Sequence, residues 1–139
     1  MKNYTSYDLI EWGKPFEKSQ HALPEPTLSE VLIRVTAAGL CHSDLHVQKG
    51  YMDLGEEGRL TFAERGAQLP MTFGHEIAGI VEAIGDKVKN VSIGQQVLVF
   101  PWIGCGDCLA CNENRESDCS VMRIIGLKQK GGFATHCLI

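Results

Sequence analysis

Four cysteines within fifteen residues constrain the fold of this chain more than any other feature. Their spacing is C-x2-C-x2-C-x7-C, formed by Cys105, Cys108, Cys111 and Cys119. Four thiolates complete a tetrahedral zinc site with no open position, and Gly104 and Gly106 give the loop the backbone freedom to wrap around one ion. A disulfide pair, a redox C-x-x-C motif and an iron–sulfur cluster are the alternatives. The spacing favours zinc, which would stabilise a lobe over 104–120 that has few apolar residues of its own.

Composition narrows the class of protein. The 139 residues suffice for one domain, with 44% apolar and 22% charged residues and a formal net charge of −4. Lysine and arginine form no run, so a nucleic-acid surface is not expected. No stretch reaches the roughly 20 apolar residues that span a bilayer, and the first residues lack the apolar segment of a secretory signal. We expect a cytoplasmic protein without membrane partners, where a reducing environment favours metal over disulfides.

The hydrophobic pattern predicts a mainly β domain. Strands are predicted over 30–38, 77–84, 91–100 and 132–139, and a short helix over 41–48 with Ser43 or Asp44 as a cap. The polar, glycine-containing segment 51–70 is predicted to be a long surface loop with at most a turn of helix. This arrangement is typical of a barrel-like β domain with an inserted metal lobe.

A second group of metal-binding residue types occurs outside the lobe. It consists of Cys41-His42-Ser43-Asp44-Leu45-His46 and, further along, Gly74-His75-Glu76. The HExxH motif of zinc proteases is excluded, because Gly79 stands where the second histidine would be. From residue types alone, a second metal site and the alternative of a packed thiol with a hydrogen-bonded histidine both stay open.

The order of these motifs resembles a known family. The run Gly74-His75-Glu76-x2-Gly79-x5-Gly85-x2-Val88 matches the zinc signature of medium-chain alcohol dehydrogenases at every fixed position. The CHSDLH run lies upstream of it and the four-cysteine lobe downstream, as in that family, and the similarity continues to Gly131-Gly132-Phe133-Ala134. The resemblance implies a GroES-like β-barrel catalytic domain over 1–139, with a structural zinc in the lobe.

The resemblance also implies roles for individual residues. Cys41 and His75 would ligate a catalytic zinc, with Glu76 close behind it as a nearby carboxylate or an occasional fourth ligand. Asp44 would orient His75 through the other ring nitrogen. The family's proton path would place Ser43 on the oxygen of the substrate alcohol and His46 next along the relay.

Two further positions follow from the same resemblance. His42 would meet the pyrophosphate of the cofactor. Trp102 resembles a tryptophan of the family's substrate pocket, although packing in the core is a competing interpretation. The activity implied is oxidation of a small alcohol to an aldehyde or ketone with NAD or NADP, or the reverse, by a protein that forms homo-oligomers at full length.

The sequence departs from the family in extent. Family members are more than twice as long, and neither a third catalytic zinc ligand nor a G-x-G-x-x-G dinucleotide motif occurs in these residues. Cys137 lies within the last predicted strand and is expected to be a buried apolar thiol. We therefore expect a partial catalytic domain without turnover of its own, holding one zinc tightly in the lobe.

Two other functions remain as alternatives. One is a zinc-stabilised β-barrel that acts as a scaffold or interaction module. The other is a zinc-free quinone reductase relative, which is disfavoured because such a protein would need neither the lobe nor the Cys41/His75 pair.

Overall fold

The computed structural model describes residues 2–139. Short strands dominate it, which confirms the mainly β prediction. The strands are β1 Asn3–Leu9, β2 Glu17–Ala22, β3 Val31–Gly39, β4 Tyr51–Asp53, β5 Arg59–Thr61, β6 Met71–Thr72, β7 Glu76–Ile84, β8 Gln96–Val99, β9 Trp102–Ile103, β10 Arg123–Ile124 and β11 His136–Leu138. The α-helices are α1 His42–Lys49 and α2 Leu109–Asn112, and short 3-10 turns lie at Gly55–Glu57 and Glu116–Asp118.

The strands form four sheets, and among residues 2–139 none of them closes into a barrel. The largest sheet has the order β11-β3-β7-β8, and a second has the order β2-β1-β6. Two-stranded ribbons are formed by β4 with β5 and by β9 with β10. Every named strand pair is antiparallel. The end of one strand therefore lies beside the start of its neighbour.

The pairing of β3 with β7 brings the two halves of the second site together. Gly39, at the end of β3, pairs with Glu76, at the start of β7. Cys41 follows that end of β3 and His75 precedes that start of β7, so an antiparallel register places them side by side although 34 residues separate them.

Apolar side chains form two core clusters. The first contains Leu9, Val47, Phe62, Ala67 and Phe73, and it fixes the inner face of α1. The second contains Ile77, Ile125 and Cys137 under the large sheet. Within the described residues, no helix is both long and apolar enough to cross a membrane.

Three predicted boundaries were wrong. The segment 51–70 is not a plain loop, because β4 and β5 form a ribbon in it and Phe62 and Ala67 are buried in the first core cluster. The strand predicted over 91–100 is confined to β8, and that over 132–139 to β11. In the latter case residues 131–133 hydrogen-bond to the segment that carries His75 instead of extending the strand.

Candidate metal centres

The cysteine lobe has thiols where a small domain would have an apolar core. Between 104 and 120 the buried side chains are those of Cys111 and Cys119. The two strands of the β9/β10 ribbon lead into and out of the lobe, with Ile103 paired to Arg123. The lobe is thus closed at its base by backbone pairing, and its interior depends on the sulfurs.

The four sulfurs lie close enough to share one metal ion. The Sγ atoms of the four lobe cysteines are all within 4.8 Å of one another, and those of Cys105 and Cys111 are 3.9 Å apart. Four thiolates around zinc at Zn–S bonds of about 2.3 Å would have sulfurs about 3.8 Å apart. All six cysteines are free thiols, and 3.9 Å is far longer than a disulfide bond of about 2.05 Å. The four lobe cysteines therefore fit a tetrahedrally coordinated metal ion. Disulfide bonds between them are excluded.

The local environment shifts the pKa values of Cys105 and Cys111 in opposite directions. Hydrogen bonds from the amides of Asp107 and Cys108 lower the pKa of Cys105 to about 7. A hydrogen bond from the Gly106 amide works in the same direction on Cys111, but burial and the neighbouring thiols outweigh it and raise the pKa of Cys111 to about 11. Without a metal Cys111 therefore stays protonated at neutral pH, and a bound cation would favour its thiolate form.

The second site is built at the start of α1. Cys41 is the N-cap residue of this helix, and its backbone N–H donates to Asp44 Oδ2 over 3.0 Å. The prediction of Ser43 or Asp44 as the cap was therefore wrong about the N-cap residue, and Asp44 contributes from the third helical position by reaching back to Cys41. Asp44 is 2% exposed, so the carboxylate is held in one place beneath the site.

His75 meets Cys41 and Asp44 through different ring nitrogens. Its Nε2 lies 3.4 Å from Cys41 Sγ, and its Nδ1 lies 3.7 Å from Asp44 Oδ1. Zinc bound to one thiolate and one imidazole would hold these sulfur and nitrogen atoms about 3.6 Å apart. The pair fits a metal ion, and the Asp44 carboxylate stands on the other side of the ring, at a distance of electrostatic contact and beyond a hydrogen bond.

The remaining predicted residues surround this pair without joining it. Cys41, Asp44 and His75 form the second group whose donor atoms all lie within 4.8 Å of one another, and Glu76 is not a member of it. The Glu76 carboxylate packs over Gly39, where an added Cβ would overlap it. Ser43 is exposed on α1 and His46 is half-buried.

The segment that carries His75 is held by a contact that sequence analysis missed. The backbone N–H groups of Gly131, Gly132 and Phe133 donate to the carbonyls of Thr72, Gly74 and Phe73, each over 2.8 Å. A Cβ on Gly131 would overlap Gly74 O, so the two chains approach as closely as backbone allows. A glycine pair next to a predicted strand was the available signal for such a close approach.

Two side chains outside the sites answer open questions from the sequence. Cys137 is 3% exposed in the second core cluster, and burial raises its pKa to about 12, so it is a packing thiol as predicted. Trp102 is 40% exposed, with its ring 5.2 Å from that of Phe100. The interpretation of Trp102 as a core residue was therefore wrong.

A buried polar cluster also escaped sequence analysis. Asp8 is 3% exposed and accepts a hydrogen bond from Thr72 Oγ1 over 2.6 Å, while His21 Nε2 lies 3.0 Å from both Asp8 Oδ2 and Ser6 Oγ. Burial alone would raise the pKa of Asp8, but its hydrogen bonds outweigh burial and hold the pKa below the usual value. This cluster fixes β6, three residues before His75.

Comparison with known proteins identifies the family of this chain. The family model for the alcohol dehydrogenase GroES-like domain matches residues 27–139. An NAD-dependent alcohol dehydrogenase of Sulfurisphaera tokodaii is 41% identical over 132 residues, which cover 94% of this chain and 37% of that protein. The D-arabinose dehydrogenase structure from Sulfolobus solfataricus superposes with a TM-score of 0.79 at 30% identity, covering 100% of this chain and 38% of its own.

A third relative has been solved with metal bound. A cobalt- and zinc-bound thermostable alcohol dehydrogenase from Pyrobaculum aerophilum superposes with a TM-score of 0.80 at 27% identity over 99% of this chain and 39% of its own. This chain spans less than two fifths of the length of each of these relatives. The motif order, the sheet topology and the match over 27–139 together show that the chain belongs to the alcohol dehydrogenase family built on the GroES-like domain.

Proposed function

We propose that this chain supplies the zinc-binding catalytic portion of an NAD(P)-dependent alcohol dehydrogenase. The observation that carries the proposal is the Cys41–His75 pair, with Sγ and Nε2 3.4 Å apart and Asp44 buried behind the ring. The Cys41 thiol and the His75 imidazole lie next to the ends of two different strands, and core packing does not require the contact between them. The relatives named as NAD-dependent alcohol dehydrogenases support the same activity for the longer protein.

The lobe is proposed as the structural site and the Cys41/His75 pair as the catalytic one. A zinc ion at the latter would act as a Lewis acid that lowers the pKa of an alcohol oxygen. The chain's own residues then position and deprotonate the substrate. Asp44 orients the His75 ring, and the exposed Ser43 hydroxyl accepts the proton of the alcohol and passes it towards the imidazole of His46.

The cofactor and the closing ligand are proposed to come from the remainder of the longer protein. His42 is exposed one residue beyond Cys41, where a basic side chain can meet a cofactor phosphate. Glu76 stays a proposed nearby carboxylate, because its position over Gly39 keeps it adjacent to the pair. The 139 residues by themselves are expected to lack turnover, with the activity belonging to the longer protein.

Cobalt substitution tests this assignment. With the lobe first filled by one equivalent of zinc, added cobalt should give a thiolate-to-cobalt absorption band from the second site. Cys41→Ser and His75→Ala should abolish the band, and Cys137→Ala, which alters a buried thiol that belongs to neither group of metal-binding side chains, should leave it unchanged. A band that survives both site substitutions would refute the catalytic assignment and favour a zinc-stabilised scaffold.

A further inference from the structure

A pair of histidines on the exposed side of α1 has the spacing of a chelate. His42 and His46 are four residues apart, which places them on one face of the helix. Their ring centroids lie 4.6 Å apart with an interplanar angle of 59°. Within residues 2–139, no hydrogen bond or ion pair engages either ring, so the nitrogens of both are available to a ligand.

The separation of the rings allows them to share one ion. A metal–nitrogen bond of about 2.0–2.1 Å plus the distance from that nitrogen to the ring centre puts each centroid about 3.2 Å from a shared ion. If the two metal–nitrogen bonds meet at a right angle, the ring centroids lie about 4.5 Å apart. If they meet at the tetrahedral angle, the centroids lie about 5.2 Å apart. The observed 4.6 Å lies within this range, so the two rings are close enough to bind one ion.

We propose that His42 and His46 form a bidentate surface site for a late transition-metal dication, Ni²⁺ or Cu²⁺, with water completing the coordination. The two imidazoles suit these ions in ligand type, and nickel and copper bind nitrogen sites more tightly than the earlier first-row metals. The helix N-terminus disfavours a cation there, and two protein ligands hold an ion less firmly than four. The site is therefore weaker than the cysteine lobe and exchanges its ion readily.

The site has a consequence for the dehydrogenase. An ion held there would occupy the imidazole nitrogen that His46 needs to take up a proton, and it would block the approach to His42. Excess Ni²⁺ or Cu²⁺ would then inhibit turnover. That consequence rests on the proposed function, whereas the metal site itself does not.

Nickel binding by zinc-loaded protein tests the site. With zinc occupying the thiolates, equilibrium dialysis should show one Ni²⁺ per chain, and His42→Gln or His46→Gln should weaken its binding at least about tenfold, because the chelate is lost. The matched control is the double variant His46→Gln/Lys49→His, which keeps the number of histidines and separates the pair by seven residues. It should bind as weakly as the single variants, and circular dichroism should show all of them folded.

Two outcomes would overturn the proposal. One is nickel binding by His42→Gln, His46→Gln or the double variant that is as tight as in the parent protein. The other is zinc released in proportion to nickel bound, since it would place nickel in the thiolate sites. Either outcome leaves the cobalt band of Cys41 and His75 as a separate measurement, so the failure of one proposal is distinguishable from failure of the other.

Discussion

The close backbone approach between Gly131 and Gly74 gives a direct test of how His75 is held. Replacing Gly131 by alanine adds a methyl group that overlaps Gly74 O and contacts Phe73. The two segments must separate for the methyl group to fit. Since residues 131–133 hold the His75 segment through three backbone hydrogen bonds of 2.8 Å, the substitution should disturb the ligand without touching it.

The magnitude follows from these contacts. Overpacking of a closely packed site costs about 1–3 kcal/mol, and each backbone hydrogen bond that is lengthened forfeits up to about 1 kcal/mol. We expect Gly131→Ala to lower the free energy of unfolding by about 2–4 kcal/mol. The Cys41/His75 site should lose at least about tenfold in cobalt affinity, which corresponds to about 1.4 kcal/mol.

A second glycine separates this local effect from general destabilisation. Gly55 has φ +68° with nothing within 4 Å of an added Cβ, so Gly55→Ala adds left-handed backbone strain of about 1–2 kcal/mol in the β4/β5 ribbon alone. Urea unfolding and cobalt titration of the zinc-loaded protein would be recorded for both variants. Gly55→Ala should lose stability and keep the cobalt affinity of the parent. Unchanged cobalt affinity in Gly131→Ala, despite its lower stability, would refute the claim that this contact positions His75.

Three further predictions concern single side chains. Cys108→Ser should remove the tightly held zinc of the lobe, so metal analysis that finds the parent zinc content would contradict the four-thiolate site. Asp44→Asn keeps an acceptor for the Cys41 N–H and removes the charge behind His75, and it should weaken cobalt binding there about 10–100-fold; parent affinity in the titration would count against an orienting role. Asp8 has a lowered pKa when folded, so its stabilisation is present above the unfolded pKa of about 4 and is lost as pH falls through the folded value. Urea unfolding of Asp8→Asn should therefore show lower stability than the parent at pH 7 and a smaller loss on acidification; identical pH profiles would refute this.

Local features of the sequence predicted the main elements well. The helix over 41–48 and the strands β3 and β7 lie within one or two residues of their predicted bounds, because propensity and turn residues act over short distances. The segment 51–70 was predicted less well. Its strands are three residues long, and what buries Phe62 is a core assembled from distant segments.

Spacing along the chain was sufficient for the lobe and insufficient for the second site. Four cysteines within fifteen residues can reach one ion through local turns alone, so the sequence by itself predicted that these thiols come together. The chain separation between Cys41 and His75 carries no such information. Only the antiparallel register that pairs Gly39 with Glu76 places the sulfur beside the imidazole.

The same distinction explains what was missed. Asp44, Ser43 and His46 were assigned site roles only through the resemblance to a family. The Gly131 contact and the Asp8 cluster depend on which backbone segments cross. Such crossings are set by the packing of whole sheets, and a local pattern such as the Gly131-Gly132 pair does not specify which segment approaches it. The sequence thus determined the chemistry of the ligands and the elements that carry them, and the tertiary structure decided which of them meet, because a shared site requires distances that only the folded chain fixes.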